Sequence, residues 1–179
     1  VVAEDVRLDA KGSTFRLVLP SGATQVRLAL IGAFNVENAL AAAAAAYVVG
    51  CSPEQIASGL ASLEAVPGRM HRVDAGQPFS VFVDYAHTPD ALEKMLRLLR
   101  SLVSGRLIAV FGSAGERDHT KRPLQGAVSA RLADFSIFTS EDPRFEDPDA
   151  IIAEIAAGAD AGGAVASRDY PCIEGRRRA

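Results

Sequence analysis

The alternation of strand and helix signals in its second half limits most what this chain can fold into. Phe79–Val83 is a β-rich run. Thr88-Pro89 offers an N-cap and a proline at the first helical position, for a helix to about Val103 with Gly105 behind it. Arg106–Phe111 reads as a strand, Pro123–Ala133 as a helix and Phe135–Thr139 as a strand. Asp147-Pro148 repeats the cap-plus-proline start, for a helix to about Ala157, and a weaker strand lies near Cys172–Glu174. Strands separated by helices need crossover connections, which are right-handed and bring the strands together in parallel. An α/β fold with a mostly parallel sheet of these four strands is expected.

The first part follows a different grammar. Thr14–Leu19 alternates polar and apolar residues, Pro20-Ser21-Gly22-Ala23 is turn chemistry, and Gln25–Ile31 resumes the alternation, so a hairpin is expected. Asn35–Val49 is an alanine-rich helix stopped by Gly50. Ser52-Pro53-Glu54-Gln55 combines an N-cap, a proline and a capping-box glutamine for a helix to about Leu63. The turn-prone stretch Ala65-Val66-Pro67-Gly68-Arg69 marks a domain boundary, dividing the chain into 1–67 and 68–179. The hairpin and helix pair lack a sheet of their own and read as the tail of a larger domain. The chain opens at Val1 without Met and ends at Ala179 where a helix starts, so both ends read as cut. An interrupted sheet leaves an unpaired edge, and poor solubility of the isolated segment is expected.

Composition removes several function classes. The 179 residues, 49% hydrophobic, suffice for one core or one core plus part of a neighbour. Net charge is −3 and no basic cluster is interleaved with aromatics, so no nucleic-acid partner is expected; Arg176-Arg177-Arg178 reads as a solvated run. Cys51 and Cys172 stand far apart with no ligand spacing, which favours neither a disulfide nor a zinc site and suits a reducing compartment. Ala39–Val49 is too short to span a bilayer, and the N-terminal residues carry no signal pattern. A cytoplasmic monomer with small-molecule substrates and no membrane partner is the expectation.

In an open parallel sheet, ligands bind beyond the carboxyl ends of the strands. Asp84-Tyr85-Ala86-His87-Thr88-Pro89 follows the first strand, Gly112-Ser113-Ala114-Gly115-Glu116-Arg117-Asp118 the second, and Ser140-Glu141-Asp142-Pro143-Arg144 the third. Each has an ordinary reading beside a functional one. Asp84 also reads as a turn cap, His87 as a surface histidine, the glycine-containing loop as a plain βα turn, and Arg117 and Arg144 as solvated charges. Placed together on one rim, the two arginines suit bidentate capture of a carboxylate. No Walker sequence occurs in the chain. Asn35 and Asn38 share a helix face; Asn35 reads as an N-cap, whereas Asn38 inside an alanine run suits a hydrogen bond to a heterocycle or a loop.

Gly32-Ala33-Phe34-Asn35-Val36-Glu37-Asn38, Val66-Pro67-Gly68-Arg69-Met70 and Asp84-Tyr85-Ala86-His87-Thr88-Pro89 together resemble the Mur ligase family. Phe111-Gly112-Ser113-Ala114-Gly115-Glu116-Arg117-Asp118, Lys121-Arg122-Pro123 and Ser140-Glu141-Asp142-Pro143-Arg144 resemble the branch that adds the third stem-peptide residue to UDP-N-acetylmuramoyl-L-alanyl-D-glutamate. The resemblance implies the end of a central ATP-binding domain followed by a Rossmann-like C-terminal domain. It implies ATP and Mg2+, with the P-loop, the magnesium ligands and a carbamylated lysine upstream and a Gly-Lys-Gly-His-Glu motif downstream. It implies nucleotide contacts at Asn35, Asn38, Arg69, Asp84 and His87, and amino-acid contacts at Arg117, Glu141, Asp142 and Arg144. No catalytic residue is implied within the segment, which is expected to be inactive alone. Members that add meso-diaminopimelate usually read Asp-Asn-Pro-Arg; here Asp142 replaces the asparagine, and an ionised Asp only accepts hydrogen bonds. Diaminopimelate is favoured by the retained arginine, with lysine or ornithine open. Folylpolyglutamate and cyanophycin synthetases share the Asp-x-Ala-His-x-Pro element, and a non-catalytic nucleotide- or amino-acid-binding module is the reading from another class.

Overall fold

In the computed structural model, which describes residues 1–9 and 11–179, the Pro20-Ser21 turn pairs strand β2 (Gly12–Leu19) with β3 (Gly22–Leu28), Leu19 opposite Gly22. Gly22 supplies the positive φ, 146°, that the turn requires. The alternation of β2 sends Phe15, Leu17 and Leu19 to one face, where they join Val26 and Leu28 of β3. Helix α1 (Ala33–Val48) adds Val36, Ala39 and Ala43 to this core, and α2 (Pro53–Ser62) adds Ile56. The α2 start is the expected capping box: the Ser52 N–H donates to Gln55 Oε1 at 2.8 Å and the Gln55 N–H to Ser52 Oγ at 3.3 Å.

Two sequence expectations change here. The hairpin has a sheet of its own, because β1 (Val2–Asp9) pairs antiparallel with β2 in the order β1-β2-β3. This edge strand is mostly exposed and breaks register between Glu4 and Arg7, with Asp5 at φ 54°, so no clean alternation announces it. The α1 N-cap is Gly32, at φ 94°, and not Asn35, which lies inside the helix.

Phe79–Val83 contributes a short strand, β5 (Val81–Val83), that pairs antiparallel with β4 (His71–Val73). Local turn chemistry explains why this run forms a hairpin: the Gly76 N–H donates to Asp74 Oδ1 at 3.1 Å and Gln77 Nε2 to the Val73 carbonyl at 2.8 Å. The parallel sheet therefore holds three of the four expected strands among the described residues, in the order β6 (Ile108–Phe111), β7 (Phe135–Thr139), β8 (Cys172–Ile173). The α/β class stands. Two compact units result, Val1–Tyr85 and Ala86–Ala179. The sequence break at 67/68 falls inside the first of them, because the β4–β5 hairpin belongs to that unit.

In the second unit, α3 (Pro89–Leu102) buries Leu92, Leu96 and Leu99 along one stripe, and Thr88 Oγ1 caps it by accepting the Ala91 N–H at 3.2 Å. Helix α4 (Lys121–Leu132) begins two residues before the expected Pro123, which sits in the first turn where no intrahelical N–H is needed. Helix α5 (Pro148–Ala161) is capped by Asp147, whose Oδ1 accepts the Asp149 N–H at 3.1 Å. Phe138 on β7 is fully buried against Ile152, Ile155 and Ala159 of α5 and Tyr170, its ring 4.7 Å from that of Tyr170 and edge-on to Phe111 at 5.3 Å. At the entry end of the sheet, Asp134 Oδ2 accepts the Leu107 N–H at 2.7 Å and Arg100 at 2.6 Å. These donors, the Leu107 amide first, hold the Asp134 carboxyl below its ordinary value. The opposite ends of β6 and β7 open the rim.

Helices α4 and α5 touch through backbone. A Cβ on Gly126 would lie 1.9 Å from the Ile155 carbonyl oxygen, and one on Gly158 would lie 1.9 Å from that of Pro123. Gly126→Ala or Gly158→Ala is expected to destabilise the fold by about 1–3 kcal/mol or more, since the obstruction is main chain. Gly59→Ala in α2, where a Cβ meets open space, is expected to stabilise it by about 0.5–1 kcal/mol. Urea unfolding midpoints of the three variants check both signs.

Candidate functional site

The rim of the second unit is built from two loops in main-chain contact. Residues 112–120 follow β6 and residues 140–147 follow β7. A Cβ on Gly112 would lie 2.1 Å from the Thr139 carbonyl oxygen, and one on Gly115 2.0 Å from that of Pro143. Only glycine permits this approach. It lets the Gly115 N–H donate to the Asp142 carbonyl at 2.8 Å. The residues after the glycine pay for the tight path: Glu116 at φ 52° and, in the facing loop, Arg144 at φ 51° both occupy the left-handed region.

Beneath these loops lies Arg122, fully buried at the start of α4. Its guanidinium is 2.9 Å from Glu146 and 3.1 Å from Glu154, and it donates to the Ala114 carbonyl at 3.3 Å and to His119 Nδ1 at 2.8 Å. Glu146 also accepts the N–H of Glu116, so one carboxylate joins both loops to α4. The Glu116 amide first, then Arg122, hold the Glu146 carboxyl below the ordinary glutamate value.

On the outer side, the Arg144 guanidinium is a third exposed, 3.6 Å from Asp142 and 3.9 Å from Glu116. Such long, solvated contacts leave it able to exchange partners for an incoming carboxylate. Arg117, Glu141 and Asp142 are exposed on the same two loops, and Phe145 beside Arg144 is 95% exposed. His87 is exposed, with its carbonyl held by Lys121 Nζ and Gln125 Nε2, each at 3.1 Å.

The remaining expected residues lie in the first unit. Asn35 is 2% exposed and donates from Nδ2 to the Ile31 carbonyl at 2.8 Å. Its Oδ1 accepts from Asn38 at 3.3 Å, so the two amides form a chain along the helix face. Asp84 Oδ2 accepts the Met70 N–H at 2.8 Å and the Tyr85 N–H donates to the Gly68 carbonyl at 2.7 Å. These bonds hold the turn in which Gly68 and Met70 take φ of 73° and 47°. Arg69 stacks its guanidinium 5.7 Å from the centre of the Tyr85 ring. Ile31 and Met70 also line a hollow of about 220 Å³ with Leu30, Arg72 and Phe82, below the size that encloses a drug-sized ligand.

The structure thus gathers the expected residues into two sets: Asn35, Asn38, Arg69 and Asp84 in one unit, and His87, Arg117, Glu141, Asp142 and Arg144 in the other. Asp84 follows a strand of the antiparallel hairpin rather than one of the parallel sheet. Sequence reasoning gave no role to Arg122, Glu146 or Glu154. The signal was present: Arg122 falls on the same helical stripe as the buried Gln125, Gly126 and Ser129, and an arginine on a buried stripe requires carboxylates opposite.

A parallel sheet whose βα loops are zipped by glycine and carry arginines and carboxylates defines an open-sheet α/β protein, and the sequence comparisons specify its kind. Residues 68–179 match the family described as Mur ligase, glutamate ligase domain, and residues 1–46 match the Mur ligase middle domain. The chain belongs to the Mur ligase family. It is 54% identical over 98% of its length to a UDP-N-acetylmuramyl-tripeptide synthetase of Roseiflexus sp. (strain RS-1), covering 35% of that protein. It is 48% identical over 99% of its length to a UDP-N-acetylmuramoyl-L-alanyl-D-glutamate--2,6-diaminopimelate ligase of Syntrophomonas wolfei, covering 36% of it. Among solved structures it resembles a UDP-N-acetylmuramoyl-L-alanyl-D-glutamate--2,6-diaminopimelate ligase, with 38% identity and a TM-score of 0.59 over 98% of this chain and 35% of that one. The chain therefore spans about 35% of the length of the curated relatives it matches.

Because the Glu146 carboxyl is held low by its partners in the fold, its bonds are intact above the ordinary glutamate value of about 4.3 and are lost as pH falls through the lower folded value. Hydrogen-exchange protection of the Glu116 amide, relative to its intrinsic exchange rate, is expected to hold as pH falls to the ordinary glutamate value and to drop only below it. In Glu146→Gln that pH-dependent drop is expected to vanish.

Proposed function

We propose that this chain supplies the end of the middle domain, residues 1–67, and the C-terminal domain, residues 68–179, of an ATP-dependent ligase. The ligase joins an amino acid to the D-glutamyl carboxylate of UDP-N-acetylmuramoyl-L-alanyl-D-glutamate. In this reading ATP phosphorylates that carboxylate, the amine of the incoming amino acid attacks the acyl phosphate, and phosphate leaves as the amide forms. Such chemistry needs positioning and charge stabilisation more than a covalent residue from the protein, and none of the residues here is assigned a catalytic role.

The observation that carries the reading is Arg144, a loosely partnered guanidinium on a loop whose backbone is fixed by Gly115 and Glu146. Arg144 and Arg117 bind the distal carboxylate of the amino acid, and Asp142, with Glu141, faces its distal ammonium. Meso-diaminopimelate carries both groups at that end; lysine carries the ammonium alone. Asn35 and Asn38 present amides for the adenine edge. Arg69, Asp84 and His87 contact the remainder of the nucleotide. Among the described residues no group of three or more His, Cys, Asp or Glu is arranged to hold a metal ion. Magnesium, the partner of ATP in this reading, therefore has no ligands to name here, and no step is routed through it. The proposed setting is the cytoplasm and the proposed state a monomer; no described helix is long and apolar enough to cross a membrane.

The test is phosphate release by the complete protein with UDP-N-acetylmuramoyl-L-alanyl-D-glutamate, ATP and either meso-diaminopimelate or L-lysine. Turnover with diaminopimelate is expected; turnover with lysine alone would reverse the substrate assignment. Arg144→Ala is expected to raise KM for diaminopimelate about 10-fold or more, the loss of a charge-assisted hydrogen bond, with KM for ATP within about 2-fold. Equal effects on the two constants would contradict the assignment of Arg144.

A further inference from the structure

Arg122 bonds to both of the loops that carry the proposed amino-acid site, yet has no exposed surface with which to touch a ligand. We propose that Arg122 and Glu146 form a positioning latch for amino-acid recognition, fixing the two rim loops in the register that presents Arg144 and Arg117. This inference rests on the ligase reading and extends it to residues outside the binding surface.

The connectivity carries the argument. From Arg122, one arm reaches the Ala114 carbonyl in the first loop and another reaches Glu146 in the second. Glu146 returns to the first loop by accepting the Glu116 N–H, and its own N–H donates to the Pro143 carbonyl at 3.0 Å. The two left-handed residues, Glu116 and Arg144, lie within this closed circuit. A non-glycine residue stays in that conformation only when its surroundings over-determine it. With the Glu146 carboxylate removed, its bonds to Arg122 and Glu116 and its 3.7 Å contact with His119 go together, and the links left between the loops are Gly115 to Asp142 and the long Arg144–Glu116 contact.

Glu154 serves as the comparison within the same cluster. It pairs with the same guanidinium at 3.1 Å but projects from the body of α5, and its contact with the loops is a long one, 3.8 Å to His119 Nδ1 beside α4. It balances the buried charge without setting loop register. A lysine at 122 would supply charge but lacks the planar fork that bonds Ala114, Glu146 and Glu154 at once.

The experiment compares Glu146→Gln, Glu154→Gln and Arg122→Lys in the complete protein, with meso-diaminopimelate and ATP as the varied substrates and Tm measured alongside. Glu146→Gln and Arg122→Lys are expected to raise KM for the amino acid by about 5- to 50-fold, with KM for ATP within about 2-fold, because ground-state binding is what the latch organises. Glu154→Gln is expected to lower Tm comparably while leaving both KM values within about 2-fold. Should Glu146→Gln fail to fold, Glu146→Asp, which keeps the charge and shortens the arm, carries the same split. An unchanged amino-acid KM in Glu146→Gln overturns the latch, as does an equal rise for ATP or an equal effect of Glu154→Gln. Absence of amino-acid-dependent phosphate release by the unsubstituted protein overturns the ligase reading and the latch with it, so the two failures are told apart by the parent protein.

Discussion

A guanidinium taken wholly out of water must find its counter-charge and its hydrogen-bond acceptors inside the protein, because an unmatched buried charge costs several kcal/mol. The two terminal nitrogens of Arg122 meet that demand, its Nε alone lacking an acceptor, by drawing on four places: the loop carbonyl of Ala114, the ring of His119, and the carboxylates of Glu146 and Glu154. The demand is what organises the second unit. Glu146 lies just before the Asp147 cap of α5 and Glu154 lies within that helix, so satisfying one side chain on α4 sets where α5 begins and how the loop before it runs. Replacing such a cluster by apolar residues often leaves stability unchanged or improved. Its presence under a rim of solvated charges fits a role in shape more than in stability.

The first unit solves a related problem with backbone. Between Val66 and Met70 the chain turns through two positive-φ residues, and the turn is closed by Arg69 N–H to Val66, Tyr85 N–H to Gly68 and Met70 N–H to the Asp84 carboxylate. Asp84 thereby links the β5 end of the hairpin to the residue just ahead of β4. The arginine proposed to meet the nucleotide is presented by a turn that this aspartate fastens. One residue of the Asp84–Pro89 element is thus already occupied in shaping the neighbourhood of another.

What could be read from sequence was local. The Ser52–Gln55 capping box, the Thr88 and Asp147 caps and the Pro20-Ser21 turn each depend on neighbours within a few positions, and each formed as expected. The glycine-bearing loop after β6 and the charged loop after β7 were legible because the carboxyl ends of parallel strands share an edge. The unread features are those decided at a distance. Strand β1 is an exposed edge whose pairing residues carry no alternation. Val81–Val83 went into an antiparallel hairpin because the Asp74–Gln77 turn outcompeted the pattern of the sequence that follows. Asn35 donates backward to the Ile31 carbonyl, a contact that a cap assignment from residue type alone misses. Arg122 entered the sequence reading only within the Lys121-Arg122-Pro123 motif, because the carboxylates that pair with it come from residues 24 and 32 positions away.

The backbone contact between α4 and α5 bears on how sequences of this kind can drift. A glycine codon becomes an alanine codon by a single base change, so the substitution arises often. At Gly126 and Gly158 the added methyl would meet the main-chain oxygens of Ile155 and Pro123. A clash with a side chain can be relieved by a second mutation that trims the neighbour, but a carbonyl belongs to every residue, and no replacement at 155 or 123 removes it. The two positions are therefore closed to side-chain compensation. Lineages carrying this pair of helices must keep both glycines or change the spacing of the helices themselves.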